Sequence, residues 1–358
     1  LKKRGFVVVT TLLSFLLSSC AHSDCGSFAS RTVYRYQIYS DCLRTSLSAA
    51  LHYHPMRSQD ITDLFLLAAI WGSSFLFITL AVPDFGPFPL MALRTGIGVL
   101  VLLPILLWRH ALPDLVRHWK PIFLLGIINA AIPFSLLAYA AFVIPAGVLS
   151  ILNAATPLWG AVFAALWLRD ILPVWRIAGL VIGFAGIVLL VWDELQINTL
   201  LNTGLALAAG LAAPLSYGFS ATFTKRYLMG VRSAAVATGA LISATLVLSP
   251  LALWTWPEAP ITQRAWGSML MLAVLCTGIT YIIFYRLVMN AGPAKASTVT
   301  LLIPVFGVLW GWMWLSEEVT LIILLATGII LLGTALATGI LGSQQFTRRA
   351  QRSRDMSG

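Results

Sequence analysis

SILNAATPLWGAVFAALWLRD, Ser150 to Asp170, returns in altered form 147 residues later as STVTLLIPVFGVLWGWMWLSE, Ser297 to Glu317. Ser150 meets Ser297, Pro157 meets Pro304, Gly160 meets Gly307, Trp167 meets Trp314 and Leu168 meets Leu315; the register continues to Gly186 and Gly333. Two apolar stretches share leucines by chance, but Pro, Gly and Trp recurring at one offset indicate an internal repeat. Asp170 falls on Glu317 where the two stretches end.

The surrounding composition says what is repeated. Of 358 residues, 59% are hydrophobic and 10% charged, against about a quarter charged in an ordinary soluble domain. The apolar residues fall in blocks of about 20, enough to cross a hydrocarbon core of roughly 30 Å. Spans are expected at about 62–81, 90–108, 121–142, 147–168, 173–192, 203–224, 234–254, 266–288, 293–315 and 319–341. Backbone in lipid must satisfy its own hydrogen bonds, which segments of this length do as helices. The expected fold is an all-α polytopic membrane protein of ten transmembrane helices. The offset carries spans 4 and 5 onto spans 9 and 10, so residues 61–192 form a first five-helix repeat and 203–341 a second. Five is odd, so the second repeat enters the bilayer upside down, a construction common in secondary transporters with a site near the midplane between the halves.

The formal charge of +10 would suggest a nucleic-acid partner in a soluble chain; its placement argues otherwise. Arg109, Arg117 and Lys120 follow span 2; Arg169 and Arg176 follow span 4; Lys225, Arg226 and Arg232 follow span 6; Arg286 and Lys295 border the connection after span 8. A basic tail, residues 342–358, adds Arg348, Arg349, Arg352 and Arg354, whereas the odd-numbered connections hold only Arg264. By the positive-inside rule both ends of the ten-helix unit face the cytoplasm, in a cytoplasmic or inner membrane. The partners expected are the lipid bilayer and a small-molecule substrate, with no nucleic acid.

FLLSSC, Phe15 to Cys20, follows Lys2, Lys3 and Arg4 and looks like a lipobox. Lipoprotein processing would start the first span from the outer face and oppose every later connection. The chain begins with Leu1, and its first methionine is Met56, directly before the first span. Residues 1–60 are therefore read as a lead, either disordered or, over residues 1–55, the product of a gene start placed too far upstream. Cys20, Cys25 and Cys42 lie in this lead and Cys276 in an apolar span, so neither a disulfide framework nor a zinc site is indicated.

IWGSSF (Ile70 to Phe75), ALRTGIG after Met91, and above all IPAGVLSILNAATPLWGAVFAALWLRD with RIAGLVIGFAGIVLL, within Ile144 to Leu190, resemble the EamA-type transporters of the drug/metabolite transporter superfamily. The resemblance covers residues 61 to 341. It implies a cytoplasmic-membrane carrier with a central cavity that exports amino acids, related metabolites or drugs. The family's acidic residue after helix 4 is often Glu and here is Asp170, and the lead has no counterpart.

Polar side chains inside a span are costly unless they face the bundle interior, which makes them site candidates. Asn129 and Asn153 stand out; the alternative for both is a hydrogen bond between helices. Pro157 lacks an N–H and frees the carbonyl of residue 153, so that carbonyl and the Asn153 side chain are expected to face the cavity. Pro304, with Thr300 at the Asn position, repeats the arrangement. Trp71, Ser73 and Ser74 offer a ring face and hydroxyls, with an interfacial anchor the other reading of Trp71. Tyr139, Tyr217 and Tyr281 either gate or pack, and Thr298 is placed by the repeat. Arg94 either snorkels to the outer headgroups or attracts a carboxylate.

Every Asp and Glu lies in the lead, loops, tail or span ends, and every His outside the spans. A midplane acid for proton coupling is missing, which leaves Asp63, Asp84 and Glu317 at the margins for recruitment. Facilitated export or coupling through backbone carbonyls is easier to reconcile, and no phosphate-binding loop for ATP is present. Gly179, Gly183 and Gly186 form a small-residue strip for close helix packing, within the monomer or across a homodimer. Trp310, Trp312 and Trp314 read as an interfacial belt. The competing class is an integral-membrane enzyme acting on a lipid or prenyl carrier, for which His110, Asp114 and His118 are the only cluster, and they read better as a solvated loop. No metal, cofactor or catalytic residue is expected.

Overall fold

A computed structural model describes residues 58–339, apart from 171, 198–199, 292–295 and 297. The lipobox, residues 1–57 of the lead and the basic tail lie outside this set, while residues 58–60 of the lead belong to the first helix. Every regular element among the described residues is helical. The main helices are α1 (Ser58–Phe85), α2 (Pro87–Trp108), α3 (Trp119–Ala140), α4 (Ala146–Trp167), α5 (Val174–Ile197), α6 (Leu200–Tyr227), α7 (Ser233–Trp254), α8 (Gln263–Val288), α9 (Val299–Leu315) and α10 (Leu321–Thr338). Nine are long and apolar enough to cross a membrane, and α9 is a shorter apolar helix of 17 residues.

The helices overrun the expected spans at two ends, with a chemical consequence. Because α1 begins at Ser58 and α5 runs to Ile197, Asp60, Asp63 and Glu194 belong to helices, and all three are buried. All three lie near the ends of their helices, where the sequence placed its carboxylates, and packing buries them there. Asp63 is held by Arg286 of α8, whose Nε donates at 2.8 Å while Nη2 takes the other oxygen.

Three helices depart from regular winding. Residues Ile127–Ala131 of α3 and Met271–Ile279 of α8 are π-helical, a local widening that often marks functional sites. In α4 the winding breaks at Ala154 and Ala155, just before Pro157. The carbonyl that Pro157 frees is taken up by the Thr156 hydroxyl, which donates to Asn153 O at 2.8 Å. That satisfies locally the group expected to face a cavity. Pro304, buried in α9, sits in continuous helix, so the two prolines do not produce the same local structure.

The larger helix contacts follow a regular scheme. α2 packs on α7, α4 on α9 and α5 on α10; α1 packs on α9, α6 on α4, α1 on α8, α6 on α3, α2 on α8 and α7 on α3. Exchanging each helix for the one five places along maps this set onto itself. The correspondence extends to residues. Gly72 of α1 lies against Phe306 and Gly307 of α9, as Gly218 of α6 lies against Trp159 and Gly160 of α4. α4 and α9 end alike, with Arg169 and Ser316 both at φ 56°. The following amides, Asp170 N–H and Glu317 N–H, each close back at 3.2 Å on the carbonyls of Ala164 and Gly311.

Side-chain ties define the two ends of the bundle. At one end Asp63 meets Arg286, Asp114 meets Arg232 at 3.5 Å and Lys225 meets Asp170 at 3.2 Å. Asp114 thus serves the packing of the α2–α3 connection on the start of α7, where Arg232 also bonds the His110 carbonyl, and His118 Nδ1 lies 3.1 Å from the Asp114 carbonyl. At the other end Asp84 accepts from the Thr262 amide and hydroxyl at 2.9 and 2.6 Å, and Glu317 accepts from the amides of Ala146 and Gly147.

The glycine strip of α5 is used within the chain. Gly179 and Gly183 meet Gly333 of α10 at backbone contact, and Gly186 lies on Ile329 and Ile330. The tryptophan belt is corrected at one position: Trp312 and Trp314 are exposed, but Trp310 turns inward and donates from Nε1 to the Ala69 carbonyl at 2.9 Å.

Candidate functional site

The interior centres on Arg94 of α2, a cation with 6% of its surface exposed. Its Nε donates to Thr277 Oγ1 at 3.0 Å, and Nη1 lies 4.0 Å from the sulfur of Met91. The guanidinium carbon stands 3.9 Å over the Phe134 ring of α3, a cation–π contact. Tyr217 of α6 meets Phe134 edge-on at 6.4 Å, and Tyr217, Tyr281 and Cys276 all lie within electrostatic range of the charge. Among the described residues no carboxylate is within ion-pair distance of Arg94. The snorkelling alternative is excluded, because the side chain is enclosed by the bundle.

The π segment of α8 builds much of this environment. Its wider turn lets the Thr277 hydroxyl donate to the carbonyl five residues back, Leu272, at 3.0 Å while accepting from Arg94. Cys276, one residue earlier, bonds the Ile70 carbonyl of α1 through Sγ at 3.3 Å and lies 3.6 Å from Ser73 Oγ. Ser74 Oγ is buried without a hydrogen-bond partner. Trp71 is half-buried against Phe284, ring centres 5.5 Å apart. Residues of helices 2, 3, 6 and 8 thus surround one guanidinium, and helix 1 is bonded to Cys276 beside it.

The sequence candidates divide accordingly. Arg94, Tyr217 and Tyr281 are brought together, with Ser74 and Trp71 on the adjoining turn of α1. Asn129, in the π segment of α3, accepts at 2.7 Å from Ser220 of α6, while Ser216 donates at 2.5 Å to the Ile128 carbonyl that the widened turn leaves open. That is a bond between helices. Asn153 carries a buried Oδ1 with no partner, and Trp159 Nε1 of the same helix is likewise unmatched. Pro157 is half-buried at the break in α4 and Pro304 is buried in α9. Thr298 forms the N-cap position of α9, and Tyr139 is exposed near the end of α3. Among the described residues, Asn153, Pro157, Pro304 and Tyr139 make no hydrogen bond or ring contact with Arg94. Sequence reasoning missed Phe134, Met91, Thr277 and Cys276, because apolar rings and small hydroxyls in a span look like ordinary packing until a charge is found beside them.

The pattern described as the EamA-like transporter family matches residues 61–192 and again 204–339. The chain belongs to the EamA-like transporter family. As an EamA-family protein it is a multi-pass membrane transporter, not an enzyme. It is 24% identical to the "Uncharacterized transporter YoaV" of Bacillus subtilis over 75% of this chain and 93% of that protein. It is 26% identical to YvbV of the same organism over 76% and 88% of the two chains. It is also 26% identical to the "Uncharacterized inner membrane transporter YedA" of Escherichia coli K12, over 77% of this chain and 89% of that one. A solved structure titled "Crystal structure of protein" superposes with TM-score 0.59 at 21% identity, covering 81% of this chain and 99% of that one, which is a likeness of fold.

Proposed function

We propose that this EamA-family protein is a secondary carrier that exports small organic metabolites bearing a carboxylate, amino acids and their relatives, by alternating access around Arg94. The observation that carries the reading is the buried guanidinium without a carboxylate partner. A cation inside a spanning helix costs about 2.5–3.5 kcal/mol even on insertion scales that allow relaxation, and a site that retains one is suited to an anionic occupant. With Nε committed to Thr277, the two Nη groups remain for a carboxylate in paired geometry. Phe134, Tyr217 and Tyr281 supply ring faces for the rest of the solute.

Residues 61–192 and 203–341 serve as two inverted five-helix repeats that rock about this site. The exchange pattern of helix contacts and the matched caps at Arg169 and Ser316 support that reading. Basic residues at the Asp63–Arg286 end and carboxylates at the Glu317 end support a cytoplasmic first end, with both termini of the unit on that side. Occupation of the glycine strip by α10 supports a monomer as the working unit, over a homodimer built on that strip.

The test is counterflow in proteoliposomes with a panel of amino acids, matched amines lacking the carboxylate, and neutral amides. Two charge-assisted hydrogen bonds at about 1.5 kcal/mol or more each predict that Arg94→Gln lowers carboxylate flux at least roughly a hundredfold, with Arg94→Lys in between. Unchanged carboxylate flux in a correctly inserted Arg94→Gln protein, or equal flux of the amines, overturns the assignment.

A further inference from the structure

The Glu317 end holds a second polar site, unconnected by any contact to Arg94. Glu317 follows the left-handed Ser316 that ends α9, a conformation that turns the chain back across the start of α4. Its two carboxylate oxygens accept from the first amides of α4, Ala146 N–H at 2.6 Å and Gly147 N–H at 2.9 Å. Pro145 precedes them and contributes no side-chain cap, so the acceptor for this helix start comes from the other half of the chain. Beside this clamp is a pocket of about 200 Å³ whose walls include Val148, Val308 and Ile323.

Four carboxylates line that pocket: Glu317 and Glu318 from the α9–α10 connection, and Asp193 and Glu194 from the end of α5. The faces that α4, α9 and α10 turn to it carry no titratable group, and among the lining residues there is no Lys, Arg or His. Glu194 is 4% exposed, and among the described residues nothing donates a hydrogen bond to it or pairs with its charge. Two ionised carboxylates facing one pocket without a cation repel each other, and Glu194, the more buried of the two, loses most of its water; a proton on either reduces that cost.

We propose that this pocket is a proton-binding site that controls closure of the Glu317 end of the bundle: a proton held by the Glu194 and Glu317 carboxyls favours the sealed arrangement, and its release favours opening. The sign follows from linkage. Burial pushes the Glu317 carboxyl above its usual range, a larger effect than the downward pull of the Gly147 and Ala146 amides. Opening lets water solvate the carboxyls and returns them toward ordinary values. A group whose affinity for protons is higher in the sealed state stabilises that state at low pH and loses the contribution as pH rises. The inference deepens the carrier reading by giving one gate a chemical control, but its test reads an amide and not flux, so the two can fail separately.

The test is hydrogen–deuterium exchange of the Ala146 and Gly147 amides in lipid nanodiscs between about pH 5 and 9, corrected for intrinsic exchange, with the middle of α2 as the folding control. Loss of one proton on opening predicts that protection falls up to about tenfold per pH unit above its midpoint. Glu194→Gln removes the like charge and keeps the clamp, so its amides stay protected to high pH with a flattened profile. Glu317→Gln removes the titrating group and keeps only one of the two acceptor oxygens, so its protection is lower throughout but its profile is flat as well. A carboxylate serving only as a fixed helix cap gives the opposite slope, protection lost as pH falls. That result, a flat profile in the unmodified protein, or a Glu194→Gln profile as steep as the unmodified one, overturns the proposal.

Discussion

Gly333→Ala is the sharpest probe of how the two halves meet. A Cβ built on Gly333 lands on the backbone N and Cα of Gly183, with the Gly179 carbonyl at 2.7 Å. These are backbone atoms, which cannot rotate aside as a flexible side chain would. Carbon contacts settle near 3.5–4.0 Å, so α5 and α10 must part by roughly 1 Å, and a gap of that size forfeits a quarter to a half of each pairwise attraction along the contact. Overpacking of this kind costs about 1–3 kcal/mol. Against it stands the helix preference of Ala over Gly, worth up to about 1 kcal/mol. The balance is a loss of about 1–2 kcal/mol. Gly328 of the same helix has nothing within 4 Å of its would-be Cβ, so Gly328→Ala keeps the preference without the clash and gains a few tenths to about 1 kcal/mol. Reversible unfolding of both variants in mixed micelles separates them by roughly 2 kcal/mol. Equal stability of Gly333→Ala and Gly328→Ala refutes the backbone contact between α5 and α10.

Two further substitutions test the other joints. Arg286→Gln should destabilise more than Asp63→Asn, since the first leaves a carboxylate buried without its partner whereas the second leaves a solvated arginine; chemical denaturation reads the order of the two, and an equal cost for both counts against the account. Ser216→Ala removes the donor to the Ile128 carbonyl in the π segment of α3, which should cost about 1–2 kcal/mol in the same assay; no loss would mean that water or Asn129 takes over that carbonyl.

The apolar blocks, their helical state and the alternation of basic connections were legible in the sequence, because each depends on one segment meeting lipid or water. The offset of 147 residues aligned Gly186 with Gly333 as equivalent positions; that they lie on the facing sides of α5 and α10, Gly333 against Gly179 and Gly183 and Gly186 against Ile329 and Ile330, came only with the structure. Pro157 was legible as a disturbance but not in its outcome: whether a freed carbonyl faces a cavity or finds a hydroxyl depends on the neighbour, and Thr156 was adjacent. Arg94 was visible as an oddity with two fates.

What tertiary structure decided was which polar groups meet. Nothing in the local pattern of α8 announces a π turn, yet that turn lets Thr277 serve both Leu272 and Arg94. Glu194 reads as the polar end of a span, and only the docking of the α9–α10 connection on α4 encloses it with Glu317. Lipid solubility is a property of each helix taken alone, so sequence determines it. The free energy of a buried charge depends on what other helices place within a few ångströms, and that is settled only when they pack.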